Sequence, residues 1–167
     1  MNDNLTVTKQ HQPLDNPNIY QELGAAFLAR KAKGLYDLIV KQGDMLLQKC
    51  GSITPSNCVS IVLMLNDAKS LTSSQIANSL NTSHQLISQR LERLEKLGLI
   101  NRVKNSEDKR ARYVCLSDLG TTEMPKIKKA CEIAENCFQD IYKQINIDLG
   151  AAIDKMKDKL EQQPLEC

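Results

Sequence analysis

Two short helical segments follow each other almost without a gap near the middle of this chain. Residues 72–75 (TSSQ) and 82–85 (TSHQ) both match the capping box, in which a Thr hydroxyl and a Gln side chain satisfy each other's backbone donors at a helix start. The spacing of apolar residues predicts helices over about 73–80 and 83–97. Asn81 lies between them and can adopt a left-handed backbone conformation at little cost, so the sequence predicts a tight turn.

The period of the pattern changes directly after the second helix. Residues 99–104 and 112–116 are short and β-rich, and a polar, charged segment separates them, which predicts a hairpin with a long loop. Helix, tight turn, helix and charged hairpin is the order of a winged helix-turn-helix domain, whose second helix fits the major groove of B-DNA. The predicted fold class is therefore mainly α with a small β-hairpin wing.

Helical patterns flank this central region on both sides. The N-terminal pattern weakens at Gly34, where a break is expected, and Thr54-Pro55 predicts the cap and first position of a buried helix. After the hairpin, Ser117 is expected to cap a long helix that Pro125 should kink or delay. Several apolar residues of the two C-terminal helices have no other core to join and are expected to meet a partner: Phe138, Ile141, Leu149, Ile153, Met156 and Leu160.

The distribution of charge is more informative than the total of +2. Residues 84–113 hold eight basic and four acidic side chains, a net +4, whereas residues 1–83 carry +1 and residues 114–167 carry −3. A positive field at the second helix and the hairpin is typical of a surface that binds phosphates. Aromatic residues make up only 4% of the chain, which argues against stacking on single-stranded nucleic acid and favours a duplex.

The outward face of the second helix carries side chains suited to base edges. If Ile87, Leu91 and Leu94 point inward, a period of 3.6 residues turns Gln85 and Gln89 outward. Glutamine can bond an adenine edge with two hydrogen bonds, and Ser or Thr can bond bases or phosphates. An ordinary solvated face is the alternative, and for His84 contact with a base, contact with a phosphate and exposure to water all stay open.

Other classes of protein find little support. The longest apolar run, Ile61–Leu65, is far too short for a membrane helix, and no secretory signal precedes it, so we expect a cytoplasmic protein without a membrane partner. No nucleophile triad, phosphate-binding Gly loop or metal-ligand cluster is present, so we expect neither an enzyme nor a metal or other cofactor. Among six cysteines, Cys50 and Cys167 are candidate redox thiols, whereas Cys58 and Cys115 are expected in the core.

Three motifs resemble one known family. They are Leu94-Glu95-Lys96-Leu97-Gly98-Leu99 at the end of the second helix, Asp108-Lys109-Arg110 in the hairpin, and Leu116-Ser117-Asp118-Leu119-Gly120 after it. Together with the order of elements they resemble the MarR family of winged helix-turn-helix bacterial transcription regulators. Ser117 stands where that family usually has Thr, which keeps the capping oxygen, and Pro125 departs from the pattern. The resemblance covers roughly residues 19–160.

The resemblance implies a homodimer that binds a pseudo-palindromic operator in double-stranded DNA. It would be a repressor released by a small effector molecule, whose identity stays open, or by oxidation. The implied organisation is a flexible arm (1–17), a winged helix-turn-helix DNA-binding domain (51–120) and a helical dimerisation region (18–50 and 121–167). A winged-helix module that binds protein and not DNA is the alternative.

The same resemblance assigns roles to individual side chains. Arg110 would enter the minor groove at the wing tip, and Asp108 would hold the wing in shape through an ion pair with a residue such as Arg102. The expected contacts with DNA from the second helix are Thr82, Ser83, His84, Gln85, Ser88, Gln89 and Arg93. Those expected from the wing are Lys104, Lys109, Arg110 and Arg112.

Overall fold

The computed structural model describes residues 24–104, 112–163 and 165 of the chain. These residues belong to two compact units, which are divided between Leu38 and Ile39. The first unit contains a 3₁₀ helix, Gly24–Phe27, and the beginning of helix α1, Leu28–Lys49. The remaining elements belong to the second unit.

Helix α1 continues through Gly34, so the break expected there from the sequence does not occur. Apart from the neighbouring backbone of its own helix, no heavy atom lies within 4 Å of the place that a Cβ at Gly34 would take, and the residue is exposed. A glycine inside a helix lowers its stability by about 1 kcal/mol relative to alanine. This cost does not end a helix of 22 residues.

The second unit contains the end of α1, a 3₁₀ helix, five further α-helices and a small sheet. In chain order they are the 3₁₀ helix Ser56–Cys58, α2 (Val59–Ala68), β1 (Ser70–Thr72), α3 (Ser73–Ser79), α4 (His84–Lys96), β2 (Ile100–Lys104), β3 (Arg112–Leu116), α5 (Asp118–Ile145) and α6 (Leu149–Gln162). The order helix, tight turn, helix, hairpin that the sequence predicts is confirmed.

Three antiparallel strands form the sheet in the order β1-β3-β2. The central residue Val114 of β3 lies opposite Leu71 on one side and Arg102 on the other. The hairpin of β2 and β3 agrees with the sequence-based prediction, but β1 was missed because a strand of three residues shows no detectable alternation. Strand β1 pairs with the outer edge of the β2–β3 hairpin and connects it to the start of α3.

The core of the second unit lies between α2, α3, α4 and the sheet, with the first turns of α5 closing it. Its largest fully buried side chains include the three residues of α4 that the sequence turned inward, Ile87, Leu91 and Leu94, each 0% exposed. Because one face of α4 is committed to this core, the opposite face must point to solvent.

The helix starts follow the predicted caps only in part. The capping box of Thr72 and Gln75 is present at α3, with both reciprocal hydrogen bonds. At α4, however, the cap is Ser83, whose hydroxyl accepts from the backbone N–H of Leu86, and the Thr82 hydroxyl instead donates to the carbonyl of Leu80. The second capping box predicted from the sequence is therefore wrong.

The prediction for Thr54-Pro55 is also corrected. Pro55 precedes the 3₁₀ helix, and α2 begins only at Val59. Thr54 is buried and donates both its hydroxyl and its backbone N–H to the carboxylate of Glu123 on α5. Because the Thr54 hydroxyl donates to this distant carboxylate, it does not cap a helix.

Helix α5 begins at Asp118, capped by Ser117 as predicted, and passes through Pro125 without interruption. Pro125 therefore does not delay the start of regular helix, contrary to one of the two expectations. It is exposed on the helix surface, where the missing backbone donor costs less than it would in the core.

The C-terminal helices leave many apolar side chains exposed. On α5 and α6 these have exposed fractions of 41–49%: Ile141, Ile145, Ile153, Met156 and Leu160. Phe138 and Leu149 are half-buried, and the Phe138 ring lies 6.3 Å from that of Tyr142. Within the described residues, no helix is long and apolar enough to cross a membrane.

Candidate nucleic-acid interface

Helix α4 presents a polar stripe on the side opposite its buried face. Four exposed residues form this stripe: Gln85, Gln89, Glu92 and Lys96. Four residues make slightly more than one turn, so the two glutamines are neighbours on the helix surface. The arrangement that a 3.6-residue period predicted is thus present, and the stripe is free of core contacts.

The residues expected to contact DNA from this helix lie at its start and along its exposed sides. Ser83, His84, Gln85, Ser88, Gln89 and Arg93 are exposed, and Thr82 is half-buried. Ser83 uses its hydroxyl oxygen as the helix cap, and Thr82 uses its hydroxyl hydrogen on Leu80. The structure therefore brings all seven residues together on one helix and the turn before it.

Two arginines on the flank of α4 lie near the 3₁₀ helix that precedes α2. Burial raises the pKa of the Cys58 thiol above its ordinary value, and the nearby charges of Arg93 and Arg90 lower it by less than burial raises it. Arg90 is half-buried, and its Nε has no hydrogen-bond partner in the described part of the chain. No contact with DNA was predicted for Arg90, although the helical pattern places this basic residue beside the inward positions.

The wing is attached to α4 by an ion pair. The guanidinium Nε of Arg102 on β2 lies 2.9 Å from Oε2 of Glu95 on α4. The partner suggested for Arg102 by the resemblance, Asp108, lies outside the described residues, and so do Lys109 and Arg110. The Glu95 contact was missed because it joins a helix to a strand, a relation that local spacing does not reveal.

The two strands of the wing leave the sheet at a pair of basic positions. Lys104, the last residue of β2, pairs in register with Arg112, the first residue of β3. Arg112 is exposed at this open end of the hairpin.

A double-mutant cycle should measure how firmly the wing is held. We expect Arg102→Ala and Glu95→Ala each to lower the free energy of unfolding by less than about 1 kcal/mol, because both side chains are partly exposed and water screens the pair. The double variant should be less destabilised than the sum of the two, by a few tenths of a kcal/mol. Strict additivity in urea unfolding would show that the pair contributes nothing.

The end of α4 is also tied to the start of α5. The Ser117 hydroxyl donates to the carbonyl of Gly98 at 2.5 Å and accepts from the backbone N–H of Gly120 at 2.9 Å. The backbone N–H of Ser117 donates to the carbonyl of Leu99. Hydrogen bonds therefore join the start of α5 to the turn that ends α4.

The candidate redox thiols are placed differently from one another. Cys50 is half-buried at the end of α1, and Cys167 lies outside the described residues. Cys58 is fully buried as expected, whereas Cys115 is only half-buried. Within the described residues, no group of three or more His, Cys, Asp or Glu side chains is arranged to hold a metal ion.

Comparisons with known proteins identify the central region. A family model described as the MarR family matches residues 52–111. The curated transcriptional regulator AdcR of Streptococcus pneumoniae is 33% identical over 79 residues, which are 47% of this chain and 54% of that protein. The match therefore spans about half the length of this curated relative.

Solved structures share the fold over most of the chain. The structure of reduced AbfR bound to DNA superposes with a TM-score of 0.64 at 20% identity, covering 87% of this chain and 98% of that one. AbsC, a MarR family transcriptional regulator from Streptomyces coelicolor, gives a TM-score of 0.60 at 20% identity, covering 81% and 93%.

Fold and sequence point to the same group of proteins. The matched segment contains α3, α4 and β2, which are the elements that build the polar stripe and the first strand of the wing. The proteins of the matched family are transcription regulators and not enzymes. The central region of this chain is thus similar, over residues 52–111, to the MarR family of transcription regulators.

Proposed function

We propose that this chain is a homodimeric transcription regulator that binds double-stranded DNA in a sequence-specific manner. The observation that carries the proposal is the exposed polar stripe of α4, opposite the buried Ile87, Leu91 and Leu94. A helix of this kind fits the major groove of B-DNA and contacts base edges with its N-terminal residues. The fold similarity to AbfR bound to DNA supports this placement.

The wing supplies the second part of the proposed interface. Lys104, Lys109, Arg110 and Arg112 would contact phosphates or enter the minor groove, with Arg110 at the tip. The net charge of +4 over residues 84–113 supports this role, because neutralised phosphates supply much of the affinity for DNA. Phosphate contacts fix the position of the protein, and α4 then selects the sequence.

Dimerisation through the terminal helices would place two such domains on one duplex. The exposed apolar residues of α5 and α6 support this part of the proposal, since a large exposed apolar face is typical of an interface. A two-fold symmetric dimer would bind a pseudo-palindromic site whose half-sites are centred about one helical turn apart. Bacterial DNA lies in the cytoplasm, which is the location we propose.

The regulatory sense we propose is repression, relieved by a small molecule or by oxidation. A ligand that binds one spacing of the two α4 helices better than another shifts the dimer toward that spacing and changes its affinity for DNA. The hydrogen bonds from Ser117 to the carbonyls of Gly98 and Leu99 support a mechanical link from the dimer helices to α4. For the oxidative route, Cys50 and Cys167 are the candidate thiols.

Removal of the wing-tip cation should weaken binding strongly. We expect Arg110→Ala to lower affinity for a selected duplex by more than tenfold at moderate salt, because it removes a charge from the minor groove. Lys155→Ala on α6 removes the same charge far along the chain from the wing and is the matched control, with little change expected. Equal affinity of Arg110→Ala and the wild type in a gel-shift titration would contradict the wing assignment.

Selection of bound fragments from random DNA tests the proposal as a whole. We expect the wild-type chain to recover a pseudo-palindrome with half-sites about one helical turn apart. Recovery of no common sequence would contradict sequence-specific binding. A chain that binds no duplex at low salt but retains a protein partner would instead be the winged-helix interaction module.

A further inference from the structure

The first two turns of α4 carry amide and apolar groups on their exposed side. The guanidinium of these turns belongs to Arg90, which lies at the flank. Gln85, Leu86 and Gln89 are all exposed. Neither glutamine side chain has a hydrogen-bond partner in the described part of the chain, whereas Gln75 at the start of α3 is committed to its capping box. The two amides of α4 are therefore available to a ligand.

These groups match one kind of base pair. The carbonyl and NH₂ of a glutamine complement N6 and N7 of adenine in the major groove, and an apolar side chain complements the methyl group of thymine. Leu86 is 39% exposed and lies among polar side chains on this surface. Leu86 and Gln89 are three residues apart and so are neighbours on the helix surface, where they can contact the two halves of an A·T pair.

The spacing of the two glutamines suits base pairs that lie two steps apart. Four residues rise about 6 Å along a helix, close to the separation of about 7 Å between base pairs two steps apart. Gln85 and Gln89 therefore can contact different pairs of one half-site. Glu92 follows a turn later, beyond the N-terminal part of the helix that usually contacts base edges.

Arginine, the residue that most often selects guanine, is not among the exposed residues of these two turns. Arginine bonds O6 and N7 of guanine, and in residues 84–91, all of which the structure describes, Arg90 is the only arginine. It is half-buried with its Nε enclosed, and its charge lowers the pKa of the thiol of Cys58, the last residue of the 3₁₀ helix. The exposed side of these two turns thus offers no arginine to guanine, and its exposed Ser88 can bond either kind of base pair.

From these placements we infer that each half-site is recognised through A·T base pairs, with Gln85 and Gln89 bonding adenines and Leu86 contacting a thymine methyl. The inference rests on the proposed function and adds the chemical identity of the bases to it. It assigns sequence choice to three side chains and leaves Arg90 and Arg93 to the phosphates.

Base analogues in a selected duplex test the inference atom by atom. We expect replacement of a contacted A·T pair by G·C to lower the affinity of the wild type about tenfold. Replacing the contacted adenine by 7-deazaadenine, which lacks N7, should cost several-fold, and replacing thymine by uracil, which lacks the methyl group, should cost a few-fold. Neither analogue alters the minor-groove edge, so the losses would report direct contact in the major groove.

Variants of α4 assign each loss to a side chain. Gln89→Ala should become insensitive to one 7-deazaadenine position, and Leu86→Ala to one uracil position. Gln89→Arg should move the preference at that pair from A·T to G·C, a gain that a merely structural role would not produce. Gln42→Ala, an exposed glutamine on α1, is the matched control and should behave as the wild type.

The possible outcomes separate the inference from the function on which it rests. Suppose that the wild type binds duplex DNA in a salt-dependent way. Half-sites made of G·C pairs would then overturn the inference alone, and so would α4 variants that keep the preference for A·T pairs. Insensitivity of the wild type to both analogues would also overturn it, since the sequence would then be selected by DNA shape. Failure of the wild type to bind any duplex at low salt would overturn the proposed function itself.

Discussion

Replacing Gly120 by alanine should lower the free energy of unfolding by about 3 kcal/mol or more, because the new methyl group would overlap backbone atoms. A Cβ at Gly120 would lie 3.0 Å from the carbonyl carbon of Leu99 and well inside van der Waals contact of its oxygen. That same oxygen accepts from the N–H of Ser117. Neither chain segment can yield without breaking the bonds that join α4 to α5.

The matched control is Gly34→Ala. An added methyl group there meets open space within an exposed helix, so stability should stay the same or rise by up to about 1 kcal/mol. Urea unfolding followed by far-UV circular dichroism measures both variants. A Gly120→Ala midpoint equal to that of the wild type would contradict the close approach of α5 to the end of α4.

Removal of the Glu123 carboxylate should have an effect of similar size. Glu123 is 1% exposed, and its Oε2 accepts from the Ser52 hydroxyl at 2.5 Å, the Ile53 N–H at 2.7 Å, and the N–H and hydroxyl of Thr54 at 3.2 and 3.1 Å. Its Oε1 lies 2.7 Å from the ammonium of Lys126. Glu123→Ala would leave these buried donors without an acceptor, at a cost of about 3 kcal/mol or more.

The same network predicts the dependence of stability on pH. Burial by itself would raise the pKa of Glu123, but hydrogen bonds from Lys126, Ser52, Ile53 and Thr54 outweigh it and lower the pKa from 4.5 to about 2. Since the folded state binds this proton less readily, the carboxylate stabilises the fold fully above pH 4.5 and loses that contribution as the pH falls toward 2. The contribution amounts to about 3 kcal/mol.

Unfolding experiments between pH 7 and pH 2 should separate Glu123 from other carboxylates. We expect Glu123→Gln to be less stable than the wild type at pH 7 and to lose less further stability on acidification. Glu132→Gln, an exposed carboxylate on the same helix, should follow the wild type within about 0.5 kcal/mol. Parallel pH profiles for the wild type and Glu123→Gln would contradict the network.

The parts of the fold that the sequence predicted are those that depend on local pattern. The buried positions Ile87, Leu91 and Leu94 follow from helical period alone, and the exposure of Gln85 and Gln89 follows from them. The left-handed Asn81 has a φ of 45°, as its place between two helices indicates. These features need no knowledge of contacts between distant residues.

The features that the sequence did not predict depend on distant contacts. Strand β1 has three residues and exists because it pairs with β3, which lies about forty residues later. Thr54 resembles a helix cap in the sequence, but its hydroxyl donates to the carboxylate of Glu123, 69 residues away. The Glu95–Arg102 pair likewise joins a helix to a strand. Spacing within one element carries no information about such partners.

Equilibrium binding of the full chain to a selected palindromic duplex, measured at increasing salt, tests the central claim most directly. We predict one dimer per duplex and an affinity that falls steeply and log-linearly with salt concentration, as the displacement of counterions from phosphates requires. A scrambled duplex of equal length should bind at least a thousandfold more weakly. No measurable binding at low salt, or equal affinity for both duplexes, would contradict a sequence-specific DNA-binding regulator.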